Sequence, residues 1–168
     1  MVLTSRRGME APGAAELKVE LESLGARVSI KSCDVAERSA VEALLTELKE
    51  DTAPLRAVVH TAGVASYVPL TELTDAQLSA ELGAKVSGAW HLHELLAGHP
   101  LDAFILYSSI AGLWGSGQQA AYSAANSALD ALGCHRRAAG QPATVIAWGP
   151  WSGGGLVDQA EDLIGAEQ

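Results

Sequence analysis

The strongest constraint on the fold is an alternation of short apolar runs with longer amphipathic stretches along the chain. The apolar runs have the length of buried strands, whereas the amphipathic stretches repeat leucine or valine at helical spacing. Strands and helices that alternate in this way form a parallel sheet whose faces are covered by helices. The sequence therefore predicts an α/β protein with a doubly wound parallel sheet.

The expected element order is β-α-β-α-β-α-β-α-β, a Rossmann-like arrangement. Strands are predicted over Val2–Thr4, Arg27–Ile30, Leu55–Gly63, Leu101–Ser109 and Ala143–Pro150. Helices are predicted over Ala14–Leu24, Ala36–Glu50, Thr74–Ala97 and Gln119–Ala139. We expect a single domain over residues 1–168, with a loop and a partial helix after Trp151.

Composition excludes several classes of function. A net charge of -9 argues against nucleic-acid binding, which depends on clustered Lys and Arg. Cys33 and Cys134 are far apart and have no ligand-like spacing, so we expect neither a metal site nor a disulfide. No stretch approaches the ~20 apolar residues that cross a bilayer, and no secretion signal is present, so we expect a soluble, cytoplasmic protein.

Candidate binding residues follow the predicted strands, because ligands of open parallel sheets bind outside the carboxyl ends of the strands. Arg6 and Arg7 follow the first strand of this chain. They could clamp an anionic group, and an Arg at the end of the second strand of a dinucleotide fold favours the 2′-phosphate of NADP, although a solvated turn explains them equally well. Asp34 follows the second strand, either near a helix N-terminus or as an acceptor for an adenine amino group. His60 is interpreted as a structural residue, packed or hydrogen-bonded. Gly63 lets the backbone approach a ligand closely.

Four further residues form a candidate catalytic set. Tyr122 and Asn126 are four residues apart on a predicted helix and share one face. Ser109 ends the preceding strand. A free tyrosine has a pKa of about 10, so a tyrosine that donates protons at neutral pH needs a nearby cation. Lys85, on the long helix before that strand, is the candidate cation.

At these residues the sequence resembles the ketoreductase domains of modular type I polyketide synthases, within the short-chain dehydrogenase/reductase family. The resemblance covers nearly the whole chain, and the matching segments are "LTSRRG", "CDVAER", "HTAGV", "AKVSGAWHLHEL", "LYSSIAGLWGSGQQAAYSAANSALDAL" and "AWGPW". Most members of the wider family carry Tyr-x-x-x-Lys, whereas residue 126 is Asn here. In the polyketide ketoreductases Lys and Asn exchange places, which fits Lys85 and Asn126.

The resemblance implies a reaction and roles for these residues. NADPH would reduce a β-ketoacyl chain tethered to an acyl carrier protein, within a polyketide synthase module. Tyr122 would be the general acid, and Ser109 would hydrogen-bond the substrate carbonyl. Lys85 would lower the pKa of the Tyr122 phenol and contact the nicotinamide ribose, and Asn126 would order Lys85 and a water chain. The implied cofactor-binding residues are Arg6, Arg7, Asp34, Val35, Thr61, Ala62, Gly63 and Pro150.

Two residues near the acid bear on stereochemistry. Trp114, eight residues before Tyr122, matches the marker of A-type ketoreductases, which give an L-β-hydroxyl; loop packing is its alternative role. The Leu-Asp-Asp motif of B-type members is replaced by "ASY" at residues 65–67. Gln119 stands where a His is associated with reduction of an epimerised substituent. The resemblance is therefore to the A1 type.

The family pattern begins with a strand and a Gly-rich turn for the pyrophosphate, and neither is found in these residues. The lid helix and last strand also do not follow "GGGLVDQAEDLI". We expect a partial domain, lacking the first βα unit and these C-terminal elements, with unpaired sheet edges and weak NADPH binding in isolation. Two alternatives remain: a catalytically silent structural or interaction segment of a synthase, and a reductase of free small ketones.

Overall fold

The computed structural model describes residues 1–51 and 53–151 of the chain. The chain divides into two compact units, Met1–Pro54 and Leu55–Gln168. The loop and partial helix expected after Trp151 lie outside the described residues. Within the described ranges, no helix is long and apolar enough to cross a membrane.

The first unit is a β-α-β-α segment with two parallel strands. Its elements are β1 (Val2–Ser5), a 3-10 turn (Gly8–Glu10), α1 (Ala14–Ser23), β2 (Ser29–Ser32) and α2 (Arg38–Lys49). Val2 lies opposite Ser29 and Ser5 opposite Ser32, so both strands end at the same edge. The residues that follow these strands therefore emerge side by side.

A glycine allows the chain to turn at that edge. Gly8 has a φ of +52°, which is strained for other residues. A Cβ atom at this position would lie 2.9 Å from the backbone nitrogen of Ser32. The close approach of the turn to β2 consequently depends on the missing side chain.

Helix α2 buries the apolar stripe that the sequence predicts. Val41 is fully buried and Leu45 nearly so. The helix begins at Arg38 and not at Ala36, because the amide of Ala36 bonds the Asp34 carboxylate at 3.0 Å and the amide of Glu37 bonds the Asp34 carbonyl. This turn delays the start of the helix by two residues.

The second unit contains three parallel strands in the order β3-β4-β5, with β4 in the centre. Its elements are β3 (Ala57–His60), α3 (Asp75–Leu82), a π-turn (Gly83–Ser87), α4 (Gly88–Leu95), β4 (Ala103–Ser109), α5 (Ala111–Trp114), α6 (Ala120–Ala138) and β5 (Thr144–Trp148). The α/β class with parallel strands is confirmed. Hydrogen bonds join the five described strands into two sheets, whereas a single sheet was expected.

The core of the second unit lies along β4 and α6. Phe104 and Leu106 on β4 are fully buried, and Leu129 on α6 packs in the same core. Arg136, near the end of α6, is also buried, and its guanidinium lies 3.8 Å from the centre of the Phe104 ring. This packing fixes α6 against the sheet and so fixes the residues at its first turn.

The segment predicted as one helix over Thr74–Ala97 is interrupted. A capping box between Thr74 and Gln77 starts α3 as a regular helix. The π-turn Gly83–Ser87 then separates α3 from α4. Such turns are rare and frequently occur at functional sites, and Lys85 lies at the middle of this one.

Candidate active site

A cavity of about 510 Å³ lies in the second unit, at the carboxyl ends of its strands. Ser109 at the end of β4 lies opposite Trp148 at the end of β5. The cavity is lined by the predicted residues Thr61, Gly63, Lys85, Ser109, Trp114, Gln119, Tyr122 and Pro150. The structure thus brings eight of the predicted site residues to one place, in a volume that suits a small-molecule ligand.

Lys85 extends from the π-turn towards the cavity. The residue is 5% exposed, and its Nζ donates a hydrogen bond of 3.0 Å to the carbonyl oxygen of Tyr107. The same Nζ lies 5.6 Å from the centre of the Tyr122 ring. The predicted cation and the predicted acid are therefore neighbours.

Burial changes the acidity of the Lys85 ammonium. Removal from water disfavours the charged form and lowers the pKa of Lys85 from 10.5 to about 8. The group still carries its proton at neutral pH, but it can lose that proton in mildly alkaline solution.

Gly63, near the start of the loop that follows β3, makes room for the lysine. A Cβ atom at this position would lie 2.8 Å from Cε and 3.2 Å from Nζ of Lys85. Thr61 and Gly63 line the cavity, whereas Ala62 between them does not. The sequence predicted that this glycine lets a ligand approach the backbone; in the structure the group that lies close to it is the lysine side chain.

Ser109 is held in an orientation that leaves its hydroxyl hydrogen available. Its Oγ accepts a hydrogen bond of 3.2 Å from the amide of Ala111, at the start of α5. A serine hydroxyl can accept and donate at the same time. Ser109 can consequently donate to an oxygen atom bound in the cavity.

Tyr122 and Asn126 lie on one face of α6, as their spacing predicts. Asn126 is fully buried, and its Nδ2 donates to the Tyr122 carbonyl at 2.8 Å. The hydroxyl of Ser108 donates to the Asn126 carbonyl at 3.2 Å and so ties α6 to β4. Oδ1 of Asn126 has no hydrogen-bond partner among the described residues. These hydrogen bonds of Asn126 thus support the backbone beneath Tyr122, and its predicted effect on Lys85 stays a prediction.

Trp114 and Gln119 border the cavity in different ways. The indole of Trp114 is 76% exposed, whereas Gln119 is buried. Tyr67, which sequence reasoning used only as part of a missing motif, also lines the cavity. Burial and the neighbouring Tyr122 raise the pKa of Tyr67, and a side-chain hydrogen bond with Gln119 opposes that rise. The sequence could have indicated Tyr67 as a site residue, because it is a tyrosine in the loop that follows a strand.

The remaining predicted cofactor residues belong to the first unit. Arg6 and Arg7 follow β1 and are exposed, and Asp34 and Val35 follow β2 at the same edge. Ser32 on β2 donates to the Arg6 carbonyl at 2.8 Å, which holds the two strand ends together. The structure therefore clusters these four residues within their own unit.

Comparison with known proteins identifies relatives over most of the chain. The family model of the KR domain matches residues 1–153. The polyketide synthase GfsA of Streptomyces halstedii is 54% identical over 156 residues, which are 93% of this chain and 2% of that protein. The chain thus spans a small part of the length of this relative.

Solved structures give the same picture. A structure of A-type ketoreductases from a modular polyketide synthase is 58% identical, with a TM-score of 0.88, over 92% of this chain and 33% of that chain. A structure of an A1-type ketoreductase is 54% identical, with a TM-score of 0.89, over 97% of this chain and 35% of that chain. The similarity includes both units and the segments that carry the cavity residues.

Proposed function

Because this chain belongs to the KR domains of modular polyketide synthases, we propose that it reduces the β-keto group of a polyketide intermediate to an L-β-hydroxyl. The observation that carries the proposal is the 5.6 Å separation between Lys85 Nζ and the Tyr122 ring in a cavity that also contains Ser109. A cation, a phenol and a hydroxyl donor in one cavity are groups that assist the reduction of a carbonyl by a hydride donor.

Each residue has a distinct task in the proposed reaction. Ser109 donates a hydrogen bond to the ketone oxygen and polarises the carbonyl. Tyr122 gives its phenolic proton to that oxygen as negative charge develops there, so the product carries an O–H bond. The Lys85 ammonium stabilises the phenolate that Tyr122 leaves behind, and the Tyr107 carbonyl holds this ammonium in place.

The cavity also fits the reactive end of a nicotinamide cofactor. Thr61, Gly63 and Pro150 line the cavity with little side-chain bulk, which leaves space for a flat ring, and Lys85 offers donors to ribose hydroxyls. NADPH, when bound, supplies the hydride that forms the new C–H bond at the β-carbon. Arg6 and Arg7 are proposed to hold its 2′-phosphate, because guanidinium groups match phosphate oxygens in charge and shape.

The proposed substrate is attached to an acyl carrier protein, within a synthase module that includes this chain. An open cavity mouth is needed for a tethered chain, and the exposed Trp114 borders the cavity. Trp114 and Gln119 are proposed to select the face of the ketone that receives hydride and thereby the L configuration. A cytoplasmic location remains a prediction.

The assay uses a synthase module that carries this chain, a β-ketoacyl thioester and NADPH. We expect Tyr122→Phe to lower kcat by at least ~10²-fold, because the ring remains and the proton donor is lost. NADPH affinity and thermal stability of the variant serve as controls and should match the parent. Equal rates in the two proteins would remove Tyr122 from its role, and a D product would refute the stereochemical part.

The alternative of a catalytically silent segment has its own test. Titration of NADPH fluorescence with the 168-residue chain measures what these residues bind without neighbours. We expect weak binding, since a Gly-rich pyrophosphate turn is not found among them. Micromolar affinity would contradict that expectation, and a module without turnover would favour the silent segment.

A further inference from the structure

The sequence indicates that His60 is a packed or hydrogen-bonded structural residue, and the structure shows which group it bonds. It is the last residue of β3 and is 3% exposed. Its Nε2 lies 2.9 Å from the carbonyl oxygen of Lys85. Because a carbonyl can only accept, the ring must carry its hydrogen on Nε2 and donate it.

The hydrogen bond from His60 is accepted by a residue of the π-turn that separates α3 from α4. In an uninterrupted α-helix the Lys85 carbonyl would accept from the amide four residues later. In the π-turn the amide of Gly88 bonds the carbonyls of Gly83 and Lys85, five and three residues earlier. The His60 ring adds a side-chain hydrogen bond to the Lys85 carbonyl. Side chains that enter the ladder of a helix in this way stabilise irregular turns.

We propose that His60 is a positioning residue, which holds Lys85 in the π-turn and thereby sets where the lysine ammonium lies relative to Tyr122. The contact joins the end of β3 directly to the backbone of Lys85. Without it, the turn can relax towards the regular α-helical ladder. Such relaxation rotates the side chain about the helix axis and moves Nζ away from the Tyr107 carbonyl.

The remaining contacts of Lys85 show why its backbone needs a fixed position. Its stem passes Gly63 with no space for a Cβ atom, and its Nζ reaches one carbonyl oxygen at 3.0 Å. A buried ammonium is costly unless its hydrogen bonds are kept. A small displacement of the backbone would therefore cost the ammonium its partner and let water approach it.

The charge state of His60 agrees with this role. Burial lowers the pKa of the imidazole, the bond to the Lys85 carbonyl raises it, and the Lys85 ammonium lowers it. The ring is accordingly neutral at neutral pH and adds no second charge beside the lysine. It contributes a donor without repelling the ammonium, which faces the Tyr107 carbonyl and the Tyr122 ring.

Titration of Lys85 tests the proposal without any turnover. NMR of protein labelled with 13C at lysine Cε follows the ammonium, and Lys85→Met identifies its signal. In the parent we expect a pKa of about 8, and in His60→Leu a shift towards 10.5 as water reaches the group. His60→Gln places an amide nitrogen at nearly the same distance from the backbone and should restore the parent value.

Kinetics of the module form the second arm, and only this arm rests on the proposed function. We expect His60→Leu to lower kcat by about 10²-fold, as misplacement of a catalytic group does, and His60→Gln to recover most of the loss. His99→Leu is the matched control, because His99 Nε2 donates to the Leu55 carbonyl at the same 2.9 Å distance. That variant should leave the Lys85 titration unchanged.

The outcomes separate positioning from packing. An unchanged Lys85 titration in His60→Leu would overturn the proposal, and so would a glutamine variant that behaves like leucine. If the leucine variant does not fold, His60→Asn replaces it, since its amide is one bond too short to reach the carbonyl. A parent module without turnover would refute the proposed function and leave the titration result standing.

Discussion

At the scale of single residues, Lys85 shows how a backbone atom can decide the position of a catalytic group. Its ammonium is held by the carbonyl of Tyr107. Sequence reasoning could place Lys85, Ser109 and Tyr122 near one another, because strand ends and helix faces follow from periodicity. It could not find the Tyr107 carbonyl, because backbone atoms are the same in every residue and leave no signature in the sequence. At Gly63 it predicted a close approach, but to a ligand and not to Lys85.

The lowered pKa of Lys85 predicts how stability depends on pH. The folded value is about 8 and the ordinary value is 10.5. Between these values the unfolded chain binds the proton more tightly, so the free energy of unfolding rises as pH increases through this window. Below pH 8 both states are protonated, and the full cost of burying the charge remains.

Urea unfolding between pH 7 and pH 10.5 measures this effect, with Lys85→Met as the reference. We expect the free energy of unfolding of the parent to rise by up to roughly 3 kcal/mol relative to that of the variant over this pH range. Other alkaline groups titrate in both proteins and cancel in the difference. A constant difference would show that Lys85 is less buried in solution than in the structure.

At the scale of elements, α6 combines the site with the core. Its first turn carries Tyr122, and its later turns pack on the sheet through Gly133. Its bounds were predicted to within one residue at each end. The π-turn was not predicted, because Gly83–Ser87 continues a helical pattern and the interruption is stabilised by a tertiary partner, His60.

The contact between α6 and β5 gives a prediction about packing. A Cβ atom on Gly133 would lie 2.1 Å from Cγ2 of Val145, and a β-branched side chain yields little. We expect Gly133→Ala to destabilise the protein by roughly 1–3 kcal/mol in urea unfolding. In a Val145→Ala background the same change should be neutral or stabilising, because alanine favours the helix once there is space.

Measuring Gly133→Ala in the parent and in Val145→Ala distinguishes the contact with Val145 from a general intolerance of alanine at position 133. The coupling between the two positions should exceed the error of the measurement, as it does for residues in contact. Equal losses in both backgrounds would mean that Gly133 is needed for another reason than its contact with Val145.

At the scale of the whole molecule, each unit places polar residues at the carboxyl ends of its own strands. The alternation of strands and helices predicted this arrangement. The division of the strands into two sheets was not predicted, since hydrogen bonding between strands depends on which strands are neighbours and not on the pattern within each strand.

Arg6 and Arg7 provide the test for the first unit. We expect the double change to alanine to weaken NADPH binding to the module by roughly 10- to 100-fold, through loss of charge-assisted hydrogen bonds. NADH affinity should stay the same, because NADH lacks the 2′-phosphate. Isothermal titration measures both affinities.

Arg27→Ala is the control for general loss of positive charge. Arg27 is an exposed arginine of the same unit, paired with Asp51 at 3.0 Å. Its removal should not affect either cofactor. If it weakens NADPH as much as the double change does, the site of phosphate binding lies elsewhere.

Helix α6 also links the position of Tyr122 to structural changes at the other end of the helix. Tyr122 and Gly133 are separated by about 16 Å along a single rigid rod. If a larger side chain near Gly133 tilts the helix, the Tyr122 phenol at the other end is displaced sideways, because the helix is rigid. Substitutions at residues 133–137 that are meant to change only stability would therefore also change the catalytic rate. Stability and activity cannot be optimised independently along this helix.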